Sequence, residues 1–527
     1  MHGRGRGRGL ATGDGRRLAT GRWAITGRRP WTAVVFAALV GAAACQAGVA
    51  GDVAMPATTT SSSPGPSTTE GPATPTSSSP TTTPPTTTPP TTVPAAVRGL
   101  LTFRGNATRS YYGTGPVPSS PRVQWSYPDE PMCSETEEAG LPVRWCGTGW
   151  TGQPAVFERD GRTWVVFGAY DGAVHFLDAS SGRPLLPSLQ TGGLVKGSVT
   201  VDPDGYPLVY VGSRDNNFRV IAIDRPVPTE LWSLPASAVS PVLWNDDWDG
   251  AALVVDGHLL VGGENSHWHA VRLDRSYGPD GLVRAAPELV FSAPGWDSEL
   301  LEALGDYNVS IEGSVALWER TLYFANSGGL VQGWDISGLA AGRAPERTFR
   351  FWTGDDTDAT VVIDPEGMLY VASQWERRTE RGRQVGQVMK LDPRRADPLV
   401  WSFADQEVVA RDGLAGVWAT PALHRDLVIV ATHGGRLVGL DRATGAVRWA
   451  KSLPGPLWQS PVVVDGVLLQ GDCFGLLHAY DVSSTAVDPP ELWSIGLGGC
   501  IESTPAVWGG QVIVGTRAGL VLAVAQR

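Results

Sequence analysis

Tryptophan and acidic side chains recur together in short polar stretches between residues 145 and 503. These read WCGTGWTG (145–152), WNDDWDG (244–250), DYNVSIEG (306–313), WTGDDTDA (352–359), GLAGVWA (413–419), GPLWQS (455–460) and GGCIES (498–503). Aromatic faces beside carboxylates are what a cation, sugar or peptide site uses. The candidate ligand-binding residues are the faces of Trp150, Trp248, Trp418 and Trp458, with Asn308, Glu312, Asp355, Asp356 and Glu502 beside them. Lys196 is the cation best placed to meet an anionic ligand. The competing account of the same residues is packing by tryptophan and solvated acidic turns.

Two smaller constellations bear on metals. Asn245, Asp247 and Asp249 form N-x-D-x-D-G, similar to a calcium loop in which alternate oxygen side chains converge before a glycine turn. A hydrogen-bonded turn uses the same residues, so calcium stays one of two alternatives there. His267 and His269 alternate along one strand but have no third ligand to make a metal site. No Ser/His/Asp set, phosphate loop or haem motif stands out, so no catalytic residue is assigned.

The elements that would position these residues repeat. Each unit opens on a small or prolyl residue and an apolar strand, passes a turn to a second strand, and crosses a Gly/Asp/Asn turn to a third strand ending in Asp. The third strands end at Asp178, Asp224, Asp274, Asp335, Asp392, Asp441 and Asp481, with a last copy at Val524. Fourth strands often carry tryptophan, as at Trp232, Trp352, Trp401, Trp449 and Trp493. Eight copies of a four-stranded unit predict an all-β, eight-bladed propeller over residues 99–527. The last copy lacks its fourth strand, and Val123-Gln124-Trp125-Ser126 is expected to supply it and close the ring. In such blades the tryptophan-rich stretches are the blade-to-blade connections and share one face. The other face holds plain hairpin turns such as DPDGYP (202–207) and DPEGM (364–368).

The sequence GLDRATGAVRW (439–449) is similar to the tryptophan-docking repeat of pyrroloquinoline quinone (PQQ)-type propellers, A-x-D-x-x-T-G-x-x-x-W. That resemblance implies the propeller fold. The family holds both PQQ- and calcium-dependent dehydrogenases of alcohols or sugars and propellers with no cofactor. The enzymes carry a disulfide between adjacent cysteines, a pair this chain lacks. A non-enzymatic binding or scaffold module is therefore preferred to a PQQ- and calcium-dependent dehydrogenase. Its expected partner on the connection face is a protein, a glycan or an envelope polymer, bound by a monomer.

The N-terminal part sets location. Residues 1–44 combine an arginine-rich start with the apolar run WTAVVFAALVGAAA, which reads as an export signal too short to span a membrane. Ala42-Ala43-Ala44-Cys45 resembles a bacterial lipobox, which implies lipidation at Cys45 on the outer side of the cytoplasmic membrane. Ordinary cleavage and secretion is the alternative, and Arg28-Arg29 leaves Sec and twin-arginine export both open. Residues 45–98 carry this cysteine and a Ser/Thr/Pro-rich linker with little to bury, expected to be disordered.

Of the 42 basic and 53 acidic residues, eight arginines and one aspartate lie in residues 1–44. The remainder carries 34 basic and 52 acidic residues, a net charge of −18, which argues against nucleic-acid binding. Of the five cysteines, Cys133 and Cys146 close a local ring before blade 1. Cys473 and Cys500 fall in two loop types that share a face, so two disulfides are expected in an oxidising compartment.

Overall fold

The computed structural model describes residues 96–138, 141–150, 152–410 and 412–527. The export segment, Cys45 and almost all of the linker lie outside the described residues. Eight antiparallel sheets of four main strands follow one another. Blade 1 runs Ala155–Arg159, Arg162–Gly168, Ala173–Asp178 and Pro184–Gln190. Blades 2 to 7 cover residues 200–235, 253–294, 316–352, 362–403, 422–452 and 462–496. Blade 8 takes three strands from residues 506–526 and its outermost from Pro121–Tyr127, paired antiparallel with Trp125 opposite Ala523. The ring therefore closes as the sequence implies, and the expected fourth strand is the one supplied.

The repeat residues explain how neighbouring blades hold each other. Asp441 accepts hydrogen bonds from the backbone N–H of Ala443 and Thr444 at 3.0 and 2.8 Å, fixing the turn after the third strand of blade 6. Trp401, from the fourth strand of blade 5, docks on that turn and donates its indole N–H to the Arg442 carbonyl at 3.1 Å. Gly445 has φ +74°, and a Cβ there would sit 2.6 Å from the Trp401 ring, so only glycine serves. Trp125 repeats the arrangement between blades 8 and 1, donating to the Ala179 carbonyl at 2.7 Å.

The small residues that open each first strand do more than save space. Gln153 N–H donates to Ser198 Oγ, Ser314 N–H to Thr360 Oγ1, Thr360 N–H to Thr420 Oγ1 and Thr420 N–H to Ser460 Oγ, all at 2.9–3.0 Å. Blades 1, 3, 4, 5 and 6 thus each hand one backbone donor to the next blade's hydroxyl, whereas blade 8 gives the Thr504 N–H to the Gly152 carbonyl. The hydroxyls satisfy groups that would otherwise be orphaned in the buried centre.

Residues 98–114 plug the centre on the side away from the connections. Their backbone carbonyls accept from inner-strand amides of several blades: Arg98 from Glu158, Leu101 from Val201, Ala107 from Leu317, Thr108 from Ile363 and Thr114 from Gly509, at 2.7–3.1 Å. Gly113–Thr114 also pairs in parallel with blade 8. Arg104 and Arg109 are fully buried within this plug. The Arg104 guanidinium donates to the carbonyls of Thr420 and Pro421 at 2.7 and 3.0 Å. Arg109 donates to the carbonyls of Val315, Phe103 and Ala251 at 2.8, 2.7 and 3.2 Å. Burial lowers the two guanidinium pKa values to about 10 and about 9.

Both expected disulfides are present. Cys133–Glu138 and Leu141–Cys146 form a two-stranded hairpin before blade 1, and the bond joins its opposed end residues. The second links blade 7 to the connection into blade 8, a contribution of roughly 2–4 kcal/mol. Among the described residues no helix is long and apolar enough to cross a membrane.

Candidate functional site

The connection loops gather at the mouth of the channel opposite the plug. Trp150, Asn308, Glu312, Asp356, Asp358, Gln374, Glu376, Trp418 and Trp458 line a cavity of about 250 Å³ there. Trp150 reaches it from the loop before blade 1, Asn308 and Glu312 from the connection into blade 4, and Asp356 and Asp358 from that into blade 5. Trp418 and Trp458 follow from the connections into blades 6 and 7. The glycines of the first loop permit this approach. A Cβ on Gly149 would lie 2.4 Å from the Lys196 carbonyl oxygen.

The aromatic wall is held in place by His433. Trp458 donates its indole N–H to His433 Nδ1 at 3.0 Å, and His433 Nε2 meets Asp412 Oδ2 at 3.1 Å. Trp418 packs on the same imidazole with ring centroids 4.5 Å apart. Two large apolar faces are thereby fixed by a buried polar chain.

The acidic wall is under-compensated. Asp358 accepts from Ser327 Oγ at 3.1 Å and from Gln374 Nε2 at 2.5 Å, and Glu312 accepts from Ser310 Oγ at 3.0 Å. Asp356 shares a hydrogen bond with Asp358, while its Oδ1 is buried with no hydrogen-bond partner. Burial and the neighbouring Asp358 push Asp356 well above the usual carboxylate range. The same two causes, in the same order, raise Glu312 to about 8. No lysine or arginine lines the cavity.

Below and beside it the other carboxylates are matched. Lys196 pairs with Asp249 and lies 3.7 Å from Glu264. Burial disfavours its ammonium, but Asp249, Glu264 and Glu312 outweigh that and raise its pKa well above the ordinary value. Arg214 meets Asp247 at 2.5 Å, Arg517 meets Glu502 at 3.3 Å, and Arg377 meets Asp306 at 2.6 Å. Asp355 accepts the backbone N–H groups of Glu376, Arg377 and Arg378 at 2.8–3.1 Å and so organises a turn.

Of the residues singled out from the sequence, Trp150, Asn308, Glu312, Asp356, Trp418 and Trp458 come together in one cavity. Lys196, Asp355 and Glu502 stand outside its lining in the pairings just described. Trp248 is buried against Phe218 and His269, where it packs the core rather than facing a ligand. In the calcium-like stretch Asn245 donates to Glu264 at 2.8 Å, and Asp247 and Asp249 pair with Arg214 and Lys196. Asp249, Glu264 and Glu312 could each turn one oxygen to a common cation, but the Lys196 ammonium already pairs with two of the three. Buried His269 is held neutral, its pKa lowered to about 3 by burial and then by His267.

The lining residues that the candidate set lacks are Asp358, Gln374 and Glu376. The last two sit in the turn between the second and third strands of blade 5, which carries the extra helix Glu380–Val385. Its sequence, SQWERRT, holds the same aromatic and acidic residue types as the connection loops. The turn lies on the same face.

Residues 357–458 and 384–489 match a family model described as outer membrane protein assembly factor BamB. No curated protein sequence matches the chain. Among solved structures, a europium-containing methanol dehydrogenase superposes with a TM-score of 0.54 at 12% identity, covering 81% of this chain and 98% of that one. A quinohemoprotein alcohol dehydrogenase from Comamonas testosteroni gives 0.51 at 14% identity, covering 81% of this chain and 80% of that one. At such identities the likeness shows the fold alone. The chain is thus an eight-bladed β-propeller in which residues 357–489 resemble the BamB-type repeat, and the docking repeat at 439–449 falls within that matched stretch.

Proposed function

We propose that this protein is an exported, envelope-anchored binding module whose ligand enters the channel mouth on the connection face. The observation that carries the reading is the blind, tryptophan-walled cavity of about 250 Å³ above a plugged channel. A plugged centre cannot serve as a conduit, and a concave site with fixed aromatic faces is suited to holding a ligand. The two disulfides and the export-type N-terminus support a location outside the cytoplasm, with Cys45 as the lipid anchor and the proline-rich linker as its tether.

The PQQ-dependent dehydrogenase reading fits the cavity poorly. PQQ is a tricarboxylate, and the lining offers four carboxyl groups and no cation to meet it. Cys473 and Cys500 bridge two blades instead of forming an adjacent pair.

The test has two parts. Tryptophan fluorescence of the purified protein, titrated with amines, sugars, short peptides and PQQ with calcium, should respond to a ligand, and Trp458→Ala should remove the response. Dye-linked oxidation of alcohols or sugars with PQQ and calcium would overturn the binding-module reading. Mass spectrometry of the mature N-terminus should find a lipidated Cys45; an unmodified terminus elsewhere contradicts the anchor.

A further inference from the structure

The ligand class of this pocket follows from its unbalanced charge, an inference that rests on the binding-site reading above. At the channel mouth most carboxylates have a cation: Asp247 has Arg214, Asp249 and Glu264 have Lys196, and Glu502 has Arg517. Among the described residues, Glu312, Asp356, Asp358 and Glu376 form no close ion pair, with Lys196 and Arg377 acting on them only at longer range, and these four line the cavity. Independently of charge, Asp356 is 7% exposed and its Oδ1 has no hydrogen-bond donor. A buried acceptor without a donor is costly, and a ligand in the cavity that Asp356 lines could supply that donor.

We propose that the pocket binds a primary alkylammonium ion, R–NH3+, with its ammonium at Asp356, Asp358 and Glu312 and its alkyl chain against Trp150, Trp418 and Trp458. Three features select this class. A neutral polyol could donate to Asp356, but it would bury the acidic wall further without neutralising it. A quaternary ammonium would neutralise the wall yet offers Asp356 Oδ1 no N–H. A guanidinium favours a single carboxylate presenting both oxygens side by side, whereas both oxygens of Asp358 are already occupied, by Ser327 and Gln374. Separate acceptors converging from different loops suit a compact group with three donors. The tryptophan faces add cation–π and apolar contact to the same ligand.

An ammonium could come from a free amine or from a lysine side chain of a polypeptide, and the probes separate these. Calorimetry of the full-length protein at pH 8.5 would compare 1,5-diaminopentane, its neutral counterpart 1,5-pentanediol, choline, and a lysine blocked at both backbone ends. The expected result is binding of the amines at least tenfold tighter than the diol or choline, with Asp356→Asn weakening the amines at least tenfold. Tighter binding of the diamine identifies a small amine as the ligand; tighter binding of blocked lysine identifies a polypeptide side chain. Diol binding as tight as the diamine overturns the ammonium inference while leaving the pocket a binding site. Amine binding that Asp356→Asn and Trp458→Ala leave unchanged places the amine elsewhere and overturns the inference as well. No binding of any probe, together with no fluorescence response to sugars or peptides, overturns both readings. Thermal unfolding of each variant separates loss of binding from loss of fold.

Discussion

The two ends of the central channel solve opposite problems. At the plugged end, Arg104 and Arg109 are buried cations, and backbone carbonyls of blades 3, 4 and 6 and of the plug itself surround them. The guanidinium NH groups there meet carbonyls of the chain, although Arg104 Nε is buried without an acceptor, and the inner strand edges are capped. At the open end, four carboxyl groups face a cavity that no cation lines, and the Oδ1 atoms of Asp356 and Asn308 have no donor. Both ends are buried and polar, so polarity alone does not mark a site. The difference is one of charge balance: the cations at one end are met by the chain's own carbonyls, and the carboxyl groups at the other have no cation lining their cavity.

Substitutions can sharpen that contrast. The largest effect is expected for Arg109→Met, which strands the carbonyls of Val315, Phe103 and Ala251. At 1–3 kcal/mol for each orphaned group, the loss of stability should be on the order of 4 kcal/mol in chemical denaturation. Lys196→Met should follow, since it leaves Asp249 and Glu264 buried without their cation. A loss of about 3 kcal/mol is expected near pH 8, shrinking as pH falls and Glu264, which burial raises well above the usual carboxylate range, protonates.

A smaller effect of opposite sign is expected for Glu312→Gln. Glu312 is raised from an ordinary 4.5 to about 8 in the folded protein by burial and by Asp358, with Lys196 opposing the shift and Asp249 adding to it. The folded state therefore binds more protons than the unfolded state between these values, and stability falls as pH rises from 4.5 to 8. The variant should flatten that slope and gain roughly 1 kcal/mol at pH 8.5, less than the full shift because the mouth is open to solvent. An unchanged slope of stability against pH would show that Glu312 does not carry it.

How much of this was legible in the sequence follows from what repeats. Asp441, Gly445 and Trp401 belong to a unit that occurs in several copies, so blade number, strand order and the closing strand at Trp125 could be read directly. The serines and threonines opening first strands were legible as small residues, but their role as acceptors for the preceding blade needs the ring to exist. The plug at 98–114 has no counterpart in the repeat. Its meaning lies in hydrogen bonds to partners as far apart in sequence as Glu158 and Gly509, which no local pattern encodes.

The site was partly legible for the same reason. Connection loops fall on one face, so Trp150, Glu312, Asp356, Trp418 and Trp458 could be grouped in advance. Which carboxylates stay uncompensated could not be, because the cations that pair with Asp247 and Glu502 come from distant second-to-third-strand turns, at Arg214 and Arg517. Trp248 looked like its neighbours in sequence but turns inward onto Phe218.

The most direct test of the contrast is the unfolding temperature of Asp356→Asn at pH 8.5. An asparagine keeps the size of the side chain, can donate to Asp358, and removes a charge that burial and Asp358 disfavour. If the open mouth is shaped for a ligand at the expense of stability, the variant should melt higher than the parent and lose the pocket's ammonium binding. A lower melting temperature would contradict the account, because Asp356 would then serve the fold, as Arg104 and Arg109 do at the other end.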